Sequence, residues 1–184
     1  MLTLEDLVAM GGAELDRTMR QGHAVDEVVL ADRRYDGVSL NLGKVMTKLT
    51  WVKFAKVFER QADGSLRGWN CKVEQTPLDE PWELSLEGGE PITYGHYRVV
   101  SCDGYQMPRP YDAGLMLDYG LGGNAKLDAT ARVRDPLVAV NPGDSRLLLG
   151  WSYVDLGLTR VSTPSFFALR RGVALAHHAT APRS

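Results

Sequence analysis

The stretch that decides the fold is Trp51–Arg60 (WVKFAKVFER), Gln61-Ala62-Asp63-Gly64-Ser65, then Leu66–Gln75 (LRGWNCKVEQ). Two β-rich runs, each short for a helix, flank an Asp-Gly dipeptide. That dipeptide suits the tight turn of an antiparallel hairpin. Within the first run, alternation puts Phe54, Lys56, Phe58 and Arg60 on one face and Lys53, Ala55, Val57 and Glu59 on the other.

The same rhythm extends outward in both directions. Further strands are predicted over Tyr35–Leu42, Tyr94–Ser101, Ala113–Tyr119, Leu137–Asn141, Arg146–Leu156 and Pro164–Arg171. Asn141-Pro142-Gly143-Asp144 supplies another turn. Short strands divided by turn residues predict a mainly β protein: an antiparallel barrel of about eight strands, with N-terminal helices packed at one end or side. Thr76–Thr93 reads as a long surface loop in which Trp82 anchors the chain, and Met107–Pro110 as an extended connection.

Ahead of the strands, Thr3 and Asp6 resemble a capping box, followed by Leu4, Leu7, Val8 and Met10 at helical spacing. Gly11-Gly12 interrupts that pattern. A second amphipathic segment covers Ala13–Gln21, and a short helical stretch is compatible with Val25–Ala31. The expected organisation is a helical segment over 1–34, a barrel domain over 35–172 and a tail over 173–184.

The chain has 184 residues, enough to bury a core without disulfides or metal. Its net charge is −2 and its pI near 6.1, so no global attraction draws it to nucleic acid or an anionic membrane. The N-terminus lacks the basic and apolar regions of a signal peptide, and no apolar stretch reaches bilayer length. Cytoplasmic residence is the resulting expectation. Cys71 and Cys102 are read as packed thiols.

Several residues carry possible chemistry. Lys56 lies between two aromatics; facing inward it would need a partner, and its pKa would fall. Facing outward it would leave Ala55 and Val57 to the core. His96, within Tyr94-Gly95-His96-Tyr97-Arg98, is the histidine of a strand and a candidate for proton transfer. It shares a face with Arg98, whereas Tyr97 and Val99 occupy the other. Phe54, Phe58, Trp69, Tyr97, Arg98, Trp151 and Tyr153 are the candidate ligand-binding residues, the rings being equally suited to core packing. No metal site and no cofactor are expected.

Asp118 and Asp135 enter apolar strands and need a cation, for which Arg98, Arg132 or Arg134 is available. Gly120, Gly122 and Gly123 form a loop, and Asn124 or Asp128 is placed to cap a short helix through Arg132. Neither GxGxxG nor GxxxxGK[ST] spacing occurs there, so a structural loop is the simpler reading than a phosphate cradle.

The N-terminal helix, the approximate eight strands and Trp51 opening an early strand together resemble the calycin class of lipocalins and fatty-acid-binding proteins. Arg170 and Arg171 in the final strand are similar to the arginine that packs on an N-terminal tryptophan in lipocalins. The lipocalin G-x-W motif is replaced by Leu49-Thr50-Trp51. This resemblance implies an enclosed apolar ligand. Small bacterial cyclases also use barrels of this form, where a shaped cavity selects a reactive conformation. The functional expectations are therefore a barrel binding a small apolar molecule, a cofactor-independent cyclase or isomerase, or a packed barrel serving protein interaction.

Overall fold

The computed structural model describes residues 1–41, 52–109, 111, 114–125, 127–180 and 182. Among the described residues there are ten strands: β1 (Arg33–Leu40), β2 (Lys53–Arg60), β3 (Leu66–Cys71), β4 (Leu86–Glu87), β5 (Glu90–Pro91), β6 (Thr93–Ser101), β7 (Leu115–Asp118), β8 (Val133–Asn141), β9 (Asp144–Asp155) and β10 (Arg160–Ala174). Eight of them close into an antiparallel barrel in the order β1-β10-β9-β8-β7-β6-β3-β2. Each strand pairs with its successor around the ring, and β4–β5 form a small hairpin within the β3–β6 connection. This closed ring is compatible with a calycin-like architecture and leaves no sheet edge unpaired.

One contact reveals which face of each strand points inward. β2 and β8 stand opposite each other, with three strands between them on either side. Yet Lys56 Nζ lies 3.2 Å from Asp135 Oδ2. Only side chains crossing the lumen can meet in this way. Cross-strand register carries the assignment around the ring: Tyr35 is opposite Lys56, Lys56 opposite Asn70, Val99 opposite Leu117, and Leu117 opposite Asp135.

The lumen accommodates its rings by pairing them with glycines. A Cβ on Gly37 would sit 2.4 Å from Phe54, one on Gly68 2.3 Å from Tyr97, and one on Gly150 2.1 Å from Phe167. Small and large residues thus alternate around a narrow interior. At one end Val25 and Leu30 join the inward-facing cluster with Tyr35, Phe58 and Leu169. Leu30 belongs to α3 (Glu27–Leu30), whose first turn is capped by Asp26 accepting from Val28 N–H at 2.8 Å.

The other helices cover the outer wall. α1 (Leu4–Ala9) starts with reciprocal bonds between Thr3 and Asp6 at 2.8 and 3.2 Å, as its first turn requires. α2 spans Gly12–Arg20. Their buried Leu4, Leu7, Leu15 and Met19 join an outer apolar layer containing Val38, Val138, Leu149 and Trp151. Both sides of the sheet are consequently apolar over much of its area.

The expected Leu66–Gln75 strand ends at Cys71, with Val73 making an isolated bridge to Leu84. Trp82 does anchor the following loop: its indole N–H donates to Gly37 O at 3.2 Å. Lys53 gathers the same loop, its ammonium bonding Thr76 Oγ1 and the carbonyls of Pro77, Glu80 and Pro81 at 2.8–3.2 Å. The Leu137 strand starts earlier, at Val133, and the last strand extends to Arg160–Ala174. Pro164 falls where β10 loses register with β9, so its missing N–H leaves no ladder position vacant. Trp51 and Leu42 lie outside the described residues.

Candidate functional site

The candidate site is the polar centre of the lumen. Lys56 comes from the middle of β2, Asn70 from β3, and Asp135 from β8. The ammonium donates to Asn70 Oδ1 at 2.9 Å, Tyr119 Oη at 2.5 Å and Asp135 Oδ2 at 3.2 Å. All three of its protons therefore have acceptors. Tyr119 Oη donates in turn to the same Asp135 oxygen at 3.0 Å. Asp135 Oδ1 is buried and has no hydrogen-bond partner among the described residues.

Local backbone chemistry aims these groups. Tyr119 opens a 3-10 turn, Tyr119–Leu121, whose N–H groups at Gly120 and Leu121 donate to Asp118 Oδ1 at 2.7 and 3.2 Å. Asn124 then ties the loop down through Tyr119 O at 2.7 Å and His96 O at 2.6 Å. On the other side, β6 contains an extra residue between the pairs Gly68–Tyr97 and Asn70–Tyr94. Gly95 there has φ +53° and its carbonyl accepts from Asn70 Nδ2 at 3.0 Å. A Cβ on Gly95 would stand 2.8 Å from that amide, so glycine serves both the bulge and the approach.

The surroundings are apolar and aromatic. Lys56 Nζ is 5.0–5.7 Å from the ring centroids of Phe54, Tyr97, Tyr119 and Phe167. Burial pushes the Lys56 ammonium below the ordinary lysine range, opposed by the Asp135 charge. Burial also pushes Tyr119 and Tyr97 well above the usual phenol range, with Asp135 acting in the same direction. The lumen grades in exposure. Tyr35, Phe58 and Leu30 are 0% exposed, whereas Phe54 and Phe167 retain 8% and 5%.

The candidates named from sequence divide between the two faces. Phe54, Lys56, Phe58 and Tyr97 face the lumen. Trp69, His96, Arg98, Trp151 and Tyr153 belong to the outer wall and do not join them, because their strand parity is opposite. Trp151 donates to Thr163 O at 2.8 Å and stacks on Tyr153 with centroids 5.6 Å apart. His96 is buried beside Trp69, 6.0 Å between ring centroids, and burial followed by the Arg67 charge lowers its pKa. Lys56 and His96 thus occupy opposite sides of one wall.

The expected arginine partner suits Asp118 alone: Arg134 Nε lies 3.1 Å from it. Asp135, one residue along and pointing inward, takes Lys56 instead. Asn70 and Tyr119 were absent from the sequence-based candidates. The signal for Asp135 was its shared parity with Leu137 and Ala139, an acid inserted into an otherwise apolar face. Asp128 does cap the 3-10 turn Ala129–Arg132, through Thr130 N–H at 2.9 Å. Among the described residues no group of three His, Cys, Asp or Glu side chains is placed to hold a metal ion, and no helix is long and apolar enough to cross a membrane. No protein-family model, curated protein or solved structure matches this chain.

Proposed function

We propose that this barrel binds a small, predominantly apolar molecule carrying a hydrogen-bond donor, with Asp135 as its polar anchor. The observation supporting this reading is the buried Lys56–Asp135 pair with one carboxylate oxygen unpartnered. An ion pair is a poor device for filling a core, since apolar replacements of similar volume are often as stable or more so. An unsatisfied buried acceptor adds a penalty of about 1–3 kcal/mol. A ligand N–H or O–H directed at Oδ1 relieves that penalty, and Phe54, Phe58, Tyr97 and Phe167 supply apolar contact. This is the enclosed-ligand behaviour of calycin-type barrels, reached here through a polar centre.

The test compares 2-naphthol with 2-methoxynaphthalene, a near-isostere without the donor. Titration followed by intrinsic fluorescence should show saturable binding of the first and at least tenfold weaker binding of the second, about 1.4 kcal/mol. Equal affinities would overturn the role given to Asp135. Binding of neither would favour the packed interaction module.

One observation supports a cyclase or isomerase as the second reading. Lys56, a proton donor, and Asp135, a proton acceptor, meet at the hydroxyl of Tyr119. In that reading a carbonyl or enol of the substrate is protonated by Lys56 while Asp135 receives a proton, with Tyr119 fixing both groups. Tyr119→Phe should then abolish conversion of a molecule recovered from the wild-type protein while leaving its capture intact.

A further inference from the structure

A second constellation lies outside the lumen, on the wall formed by β2, β3, β6, β7 and β8. Its outward side chains form a ladder across paired strands: Glu59 opposite Arg67, Arg67 opposite Arg98, Arg98 opposite Asp118, and Asp118 opposite Arg134. Signs alternate except at one rung, where two arginines face each other. Directly opposed like charges destabilise a sheet.

The neighbouring acids resolve only half of this rung: Arg67 is paired with Glu59, whereas Arg98 has no ion pair among the described residues. Glu59 accepts from Arg67 Nε at 2.5 Å and from Gln61, and it pairs with His178, while Arg67 Nη2 donates to Ala179 O at 2.9 Å. Asp118 is occupied by Arg134, by the Tyr105 hydroxyl at 2.6 Å and by two backbone N–H groups. Arg98 donates to Ser65 Oγ at 2.9 Å, and that hydroxyl reaches exposed Asp63 at 2.6 Å. The ladder holds three cations against two anions.

A groove of about 210 Å³ opens at this rung, lined by Gln61, Arg67, His96, Arg98, Gly122 and Gly123, among others. His96 is 8% exposed and its ring makes no hydrogen bond among the described residues. Its backbone, by contrast, is held on both sides by Asn124, at 3.0 and 2.6 Å. Gly122 lies against that backbone so closely that a Cβ would stand 1.8 Å from His96 O. His96 thus lines the groove from a backbone held on both sides, with its ring beside Trp69.

We propose that this groove is a binding site for a small oxyanion, a carboxylate or a phosphate, held by Arg98, Arg67 and the His96 imidazole. An anion at the Arg67–Arg98 rung removes the like-charge conflict, and arginine forks suit the planar or tetrahedral oxygens of such groups. The site is separate from the lumen and stands whether or not a ligand binds there.

Histidine ring resonances in ¹H–¹⁵N spectra test this directly, with inorganic phosphate and acetate as probes and chloride at matched ionic strength as control. His96→Gln identifies the signal. The expected result is a saturable shift of the His96 resonances with phosphate or acetate and none with chloride; the stronger of the two names the class. Arg98→Gln should weaken that binding about tenfold, as for loss of one charge-assisted hydrogen bond. A wild-type His96 signal that ignores both anions, or follows chloride equally, would overturn the proposal even if Arg98→Gln did not fold. Unchanged affinity in a folded Arg98→Gln protein would overturn it as well.

Discussion

Lys56 and Asp135 meet at 3.2 Å across the full width of the barrel, from strands on opposite sides of the ring. The pair bridges the lumen among the rings of Phe54, Tyr97 and Phe167. Removing one member should therefore differ sharply from removing both. Lys56→Met leaves a buried carboxylate and is expected to lose about 3–5 kcal/mol. The double variant Lys56→Met/Asp135→Leu should recover most of that loss, or exceed the wild type. Urea unfolding of the three proteins measures the difference; equal losses in single and double variants would show the ion pair to be the barrel's structural support.

Gly150 and Phe167 make a second coupled pair. The three atoms nearest a Cβ on Gly150 all belong to the Phe167 ring, the closest at 2.1 Å. Gly150→Ala should cost about 1–3 kcal/mol through overpacking. Adding Phe167→Leu should restore part of it. Gly68→Ala should resist such rescue, because its Cβ would also stand 2.1 Å from the backbone oxygen of Val57. Thermal unfolding of the variants decides between these outcomes.

Lys53 holds its loop by charge rather than by apolar packing. Its ammonium has four oxygen acceptors and lies 4.0 Å from the Trp82 ring. Lys53→Met should speed hydrogen exchange across residues 74–83 and lower stability by about 1–3 kcal/mol, the penalty for stranded acceptors. Exchange in β8 and β9 should remain slow. Uniform acceleration over the whole barrel would contradict a local role.

Buried phenols set the alkaline limit. Burial raises the pKa of Tyr35 to about 12, and holds Tyr97 and Tyr119 well above the usual phenol range. Unfolded tyrosine ionises near pH ~10. A raised folded pKa contributes stability that is complete below the unfolded value and lost as pH rises through the folded one. Stability should thus fall between about pH 10 and 12, by up to about 1.4 kcal/mol per pH unit for Tyr35 alone. Phenolate absorbance and loss of near-ultraviolet dichroism should rise together. Full tyrosine ionisation in a protein that stays folded would contradict the burial assignments.

The rhythm of alternating runs and turn dipeptides made the antiparallel barrel legible, and parity correctly grouped Phe54, Lys56 and Phe58. Which parity faces inward was not legible. Such contrast depends on one sheet face meeting water. Here α1, α2 and the Trp82 loop bury the outer wall, so Ala55 and Val57 are as hidden as Phe58. The same circumstance drew Trp69, Trp151 and Tyr153 into a single candidate lining with lumen residues. Asp135 lies 79 residues from Lys56, and only ring closure brings them together. Local spacing therefore favoured its arginine neighbours. Asn70 and Tyr119 acquire their roles from the Gly95 bulge and the Asp118-capped turn, neither of which alternation encodes.

Calorimetric titration of 2-naphthol into wild-type protein and into Lys56→Met/Asp135→Leu tests whether the lumen binds through Asp135, since the double variant removes the ion pair and keeps Asn70 and Tyr119. Saturable binding is expected in the wild type, with its loss in a double variant that stays folded and recovers most of the wild-type stability. Undiminished binding to the double variant would contradict binding through Asp135.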